Sequence, residues 1–233
     1  MMKIALLVGV LFGLGHLAFA SQPEQARPAD HPGRPASSTD VPGPLVLLES
    51  VAEDIGDEAA KGNWSKAATL VDKASKNLSA VGPRVNNAIV ERARGHLAEA
   101  KKAIEGRRSL EAQLAANELS ADVVEIFNGY HPIVPVDVMR LDVLLRRVQL
   151  EGLANAPERA TAPLDQARAT WTRLRAQPLL RETPAARSFE HQLRQVEKAA
   201  SRGDPKSLAQ TAEAALEGVD ALEHVFESAH RSE

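Results

Sequence analysis

The chain has 233 residues, 44% hydrophobic but only 3% aromatic, with 28 basic against 31 acidic residues and a formal charge of -3. That balance excludes a nucleic-acid surface, which needs a concentrated basic patch to neutralise phosphates. The lack of cysteine excludes a disulfide framework, covalent c-type haem, a lipid-modified cysteine and a thiol nucleophile.

Residues 1–20 read as an export signal. One cation, Lys3, precedes an apolar run from Ile4 to Ala20 that ends Ala18-Phe19-Ala20, small residues at the two positions a signal peptidase reads. Gly9, Gly13, Gly15 and His16 interrupt the run, which favours cleavage over retention as an anchor, so no stable membrane insertion is expected afterwards. Residues 21–44 hold six prolines, Pro23, Pro28, Pro32, Pro35, Pro42 and Pro44, among Gly, Ser and scattered charges, the composition of a disordered linker.

Beyond Pro44 the apolar residues recur at helical spacing. Leu48, Val51, Ile55 and Ala59 form one stripe; Gly62 closes that helix, and Asn63 is placed to cap a second with Ala67, Leu70, Ala74 and Leu78. Gly82-Pro83 breaks the chain. A third stripe, Ile89 or Val90 with Ala93, Leu97, Ala100 and Ile104, stops near Gly106, and a fourth runs from about Ser109 through Leu119, Val123, Ile126 and Phe127. These four helices make a first half, 45–129. The junction, 130–135, holds the only tyrosine, Tyr130, beside His131; the pair either lines a cleft between halves or belongs to a stiff proline-flanked connector.

The second half, 136–230, repeats the plan. Its stripes are Val138, Leu141, Leu145 and Val148, then Leu164, Ala167, Trp171 and Leu174, with Pro163 leaving the start of that helix open. Thr183-Pro184 and Asp204-Pro205 are capping residues followed by proline at the first helical position, where the missing amide hydrogen costs nothing. They open stripes of Ala186, Phe189, Leu193, Val196 and Ala200, and of Leu208, Ala212, Ala215, Val219, Leu222 and Phe226. Val46-Leu47-Leu48-x-x-Val51 returns about a hundred residues later as Val143-Leu144-Leu145-x-x-Val148, with Gly106 at the same offset from Gly203. The expected fold is all-α: about eight helices as tandem hairpins, in two repeated four-helix halves that form one or two antiparallel bundles.

No nucleophile elbow, phosphate-cradling glycine loop, His-Glu-x-x-His pair or dinucleotide fingerprint occurs, which points away from an enzyme. Asp220, His224 and Glu227 stand at i, i+4 and i+7 and are the candidate ligands for a divalent metal ion, although the core stripe of the same helix leaves them on its outer side. Glu118, Asp122 and Glu125 form an acidic row that suits a weakly held hard cation or, more simply, a solvated face. Met139, the one methionine of the mature chain, is the only axial ligand of its kind for a non-covalent haem, and no histidine evidently faces it. Asp142 with Arg146, and Glu91 with Arg94, read as pairs that decorate helix surfaces. The expectation is an exported, non-enzymatic helical module of a bacterial envelope, periplasmic or secreted and without cofactor, that binds a protein partner or self-associates. The alternative is a periplasmic metal- or haem-binding bundle.

Overall fold

A computed structural model describes residues 41–81, 85–180 and 183–231. The expected export signal, the expected linker as far as residue 40 and the Gly82-Pro83 break lie outside the described residues. Eight α-helices and no strand occur among those described: α1 Gly43–Ala60, α2 Trp64–Ala80, α3 Asn87–Glu105, α4 Ser109–Phe127, α5 Val136–Leu153, α6 Thr161–Leu174, α7 Pro184–Ser201 and α8 Pro205–Arg231. None is long and apolar enough to cross a membrane.

The buried apolar side chains gather in two clusters. Helices α1 to α4 enclose one, around Leu48, Ile55, Leu78, Leu97, Leu119 and Val123; helices α5 to α8 enclose the other, around Leu141, Leu145, Leu174, Phe189, Leu208 and Val219. Each half has the same neighbours, its first helix packing on its second and fourth, and its third on its fourth. The halves meet where α4 lies against α5. Val124, Val143 and Leu150 are buried at or beside this seam and belong to neither cluster.

Chain ends of the helices explain the repeat's punctuation. Each half contains two tight turns, and each turn passes one residue through the left-handed region: Gly62 (φ 73°), Arg107 (54°), Asn155 (57°) and Gly203 (61°). In the first three the next amide donates back into the preceding helix, Asn63 to the Glu58 carbonyl at 2.9 Å, Arg108 to Ala103 at 2.9 Å and Ala156 to Glu151 at 3.0 Å, which satisfies carbonyls the helix end would otherwise orphan. The structural counterpart of Gly203 is therefore Arg107 and not Gly106, which keeps a right-handed φ of -80°. An arginine there carries a steric cost that glycine lacks. Arg107→Gly is expected to raise stability by up to about 1 kcal/mol, read as a higher midpoint of thermal unfolding; a lower midpoint would contradict this account of the turn.

Capping differs from the sequence reading at one end and matches it at two. Asn63 does not cap α2; its amide nitrogen donates instead to Glu58 Oε2 at 2.7 Å. Thr183 Oγ1 accepts from the Ala186 amide at 3.1 Å, and Asp204 Oδ1 accepts from the amides of Lys206 and Ser207 at 3.1 and 3.2 Å. Asn86 caps α3 through the Ala88 amide at 2.9 Å. Helix α1 starts at Gly43, inside the proline-rich stretch, because Pro44 falls in the first turn, where its amide would have no helical partner. Pro163 is tolerated in α6 for the same reason, just after a single 3₁₀ turn, Pro157–Ala160.

Candidate functional site

The three candidate metal ligands do not form a coordinating set. His224 Nδ1 lies 3.3 Å from Glu227 Oε2, but His224 is exposed, and Asp220, a turn earlier, is exposed as well. Among the described residues no group of three His, Asp or Glu side chains is arranged to hold a metal ion. At the junction, Tyr130 is buried against the first core while His131 is exposed, so the two share no cleft wall. Met139 is half-buried and packs on the same core.

The acidic row on α4 runs from the buried Asp122 through the half-buried Glu118 to the exposed Glu125, and each of the three is ion-paired. Asp122 is buried and receives Arg92 of α3 on one oxygen and His96 Nδ1, at 2.8 Å, on the other; Arg92 also reaches Glu125. Glu118 pairs with Arg147 of α5, whose Nε donates to the buried Glu151 at 2.6 Å. Arg147 thereby ties the halves together, as does the Asn117 amide, which donates to the Val143 carbonyl at 3.2 Å. Glu58, buried near the first turn, takes hydrogen bonds from Asn63 and Lys61, with Lys66 at 3.2 Å; together they lower its pKa to about 2. These charges hold helices in place. Buried carboxylates need such partners, because an unpaired one would cost several kcal/mol.

Further polar groups line the seam of the two halves. A shallow groove, open to solvent, runs between α1, α4 and α5. Its floor includes Ala52, Gly56, Ala116 and Ser120, and Glu53, Asp57, Asn117, Asp142 and Arg146 supply the polar lining. Asp142 and Arg146 are thus half-buried parts of a seam rather than surface decoration. Glu49 of α1 and Glu223 of α8 are both half-buried and feel the charge of Asp142. Burial, then the charge of Asp142, pushes Glu49 up to about 7; burial, then Asp142, Glu49, Asp220 and Glu227, pushes Glu223 up to about 8.

Beside the groove, α1 presents Val46 and Leu47, 49% and 48% exposed. The shift that maps Val46 onto Val143 also maps Ser50 onto Arg147 and Glu53 onto Leu150. Those three residues of α5 are the ones that face α4: Val143 and Leu150 are buried, and Arg147 makes the ion pair. Helix α1 therefore carries the counterpart of a helix-docking stripe, with no helix of the described chain lying on Val46. At the other end of the array the shift that maps Arg107 onto Gly203 maps Asn117, Ala121 and Val124 of α4 onto Glu213, Glu217 and Asp220 of α8. All three are exposed acids, so α8 closes the array with a charged surface.

Comparison with known protein families, with curated proteins and with solved structures gives no match for this chain. Its site must be read from its own residues. Val46 and Leu47 stood in the repeat motif, and their sequence gives no sign of exposure, because both lie in an apolar run that reads as core. The seam residues Asn117 and Ser120 left a fainter signal: polar residues on a helix that is otherwise apolar over most of its circumference.

Proposed function

We propose that the protein is an exported protein-interaction module whose binding face is the outer stripe of α1, centred on Val46 and Leu47 and continuing past Ser50 and Glu53 to the groove. The observation that carries this reading is the repeat itself. A stripe that docks a helix in the second half has, among the described residues, no helix lying on it in the first. The partner is a helix from a different protein, since a second copy stacked in the same manner would bring Glu213, Glu217 and Asp220 of α8 towards Glu53 and Asp54 of α1, acid against acid. Paired exposed apolar residues flanked by polar ones are the ordinary form of such a surface, and their modest area suits a reversible partner.

A photoreactive aromatic amino acid placed at position 47 tests this in cells producing the full-length protein. The expected result is a covalent adduct to one other polypeptide, absent when the same residue is placed at Lys198, exposed on α7, and lost when Val46→Glu is added. Equal crosslinking at the two positions would overturn the reading. Adducts of twice the chain's own mass would assign the stripe to a second copy instead.

A further inference from the structure

We propose that the shallow groove between α1, α4 and α5 binds an extended segment of another polypeptide by its main chain, through Asn117 and Ser120 of α4 and Arg146 of α5. This site is separate from the outer stripe of α1 and does not depend on what that stripe binds.

Three polar side chains of the groove's lining keep hydrogen-bonding capacity that the fold leaves unused. Ser120 is only 9% exposed, yet among the described residues its hydroxyl makes no hydrogen bond. Elsewhere Thr69, Ser79, Thr172 and Thr211 turn their hydroxyls back onto the carbonyl four residues earlier, so the usual outlet for a helical hydroxyl is left untaken here. Asn117 is 6% exposed; its amide nitrogen is held by the Val143 carbonyl, and its Oδ1 has no partner among the described residues. Arg146 is half-buried and in no ion pair among the described residues, and its one hydrogen bond is a long one, 3.4 Å from Nη1 to Gln149 Oε1. Buried polar groups are nearly always satisfied, so several unsatisfied ones lining a single groove mark a place that an outside group completes. Glu53, Asp57 and Asp142 line the groove too, but each has interactions of its own within the protein and none is needed here.

The unused set selects the guest. Asn117 Oδ1 can only accept, the Arg146 guanidinium can only donate, and the Ser120 hydroxyl does either, so the guest must carry both an N–H and a C=O. A peptide group carries both. A helix cannot offer them, because its own i to i−4 bonds use them, whereas an extended segment has them free and gains affinity from main-chain hydrogen bonds. Ala52, Gly56 and Ala116 keep the lining beside these groups low, which lets a main chain come within hydrogen-bonding reach. From Gln113 to Ser120 the groove follows α4 for about 10 Å, the length of about three extended residues.

The probe is N-acetyl-trialanine amide, titrated into the isotopically labelled protein and followed by backbone amide chemical shifts, with the same peptide methylated at its amide nitrogens as the control. The expected result is a set of saturable shifts centred on Gly56, Ala116, Asn117 and Ser120, lost with the methylated peptide, which has no N–H to give to Asn117 Oδ1. Ser120→Ala is expected to weaken binding about fivefold to tenfold while leaving the thermal midpoint unchanged or higher, because a methyl group replaces a hydroxyl that has no partner in the fold. The absence of saturable shifts would overturn the proposal, as would shifts that the methylated peptide reproduces or that centre on Val46 and Leu47. So would a Ser120→Ala protein that binds as the parent does, or one that unfolds at a lower temperature, since its hydroxyl would then be spent within the fold.

Discussion

Replacing Phe189 with alanine is expected to destabilise the protein by about 3–5 kcal/mol, a large part of the 5–15 kcal/mol that holds a typical domain together. Phe189 is fully buried in the second core and meets Trp171 edge to face, ring centroids 4.7 Å apart at 63°. The chain is only 3% aromatic, so few other rings can shift into the space. Its neighbours Ala186 and Leu193 on α7 and Gly218 on α8 are too small or too firmly packed to collapse into it; a Cβ on Gly218 would already lie 3.1 Å from the Phe189 ring. Urea unfolding followed by circular dichroism and by tryptophan emission measures the loss. A change below about 1 kcal/mol would mean that this core is not packed as described.

The second large effect contrasts one substitution at two places. Gly152 sits in the last turn of α5, where an added Cβ would lie 2.8 Å from the Pro205 carbonyl oxygen and 2.8 Å from the Ala209 amide nitrogen, both backbone atoms of the first turns of α8. Backbone cannot swing aside as a side chain can, so Gly152→Ala must push α5 and α8 apart at the packing that closes the second half. Overpacking of this kind costs about 1–3 kcal/mol, against the gain of up to about 1 kcal/mol that alanine normally brings to a helix. Gly95, in the middle of α3, has nothing within 4 Å of its Cβ position. Gly95→Ala should therefore stabilise, by about 0.5–1 kcal/mol. Thermal midpoints moving in opposite directions for the two variants are the expected outcome, and a stabilised Gly152→Ala protein would contradict the close approach.

What could be read from the sequence was local. Of the α7 stripe, Ala186, Phe189, Leu193 and Val196 are buried and Ala200 is half-buried, and Thr183 and Asp204 cap their helices because the capping oxygen, the proline and the amides it serves lie within four residues of one another. The eight helices follow from signals of this range. What could not be read depends on partners distant in sequence. Asp122 looked like one acid in an exposed row because Arg92 and His96, which bury it, come from another helix. Asp142 and Arg146 looked like a surface pair because α1 and α4, which roof them, lie elsewhere in the chain. Asn63 illustrates a contest at short range: its side-chain oxygen was placed to accept from the first amides of α2, but its side-chain nitrogen donates to the buried Glu58 carboxylate and orients the side chain for that bond, and the backbone turn already closes the preceding helix end without it.

The same limit applies to the candidate site. The repeat was visible as Val46-Leu47-Leu48 and Val143-Leu144-Leu145, yet only packing separates the members of each motif, with Leu48 and Leu145 both fully buried, Val143 covered by α4 and Val46 left open. Periodicity assigns a residue to a face, and the number of neighbouring helices decides how many faces are covered.

The central claim is that the protein's charged and histidine side chains build and join its halves, leaving its activity to a helix-docking stripe. The most direct measurement is the metal content and visible spectrum of the protein purified without a metal-binding tag. The account predicts a colourless protein with no metal near one equivalent. A stoichiometric metal ion lost in a His224→Ala variant, or a haem band lost on replacing Met139, would contradict it and make ligand binding the function.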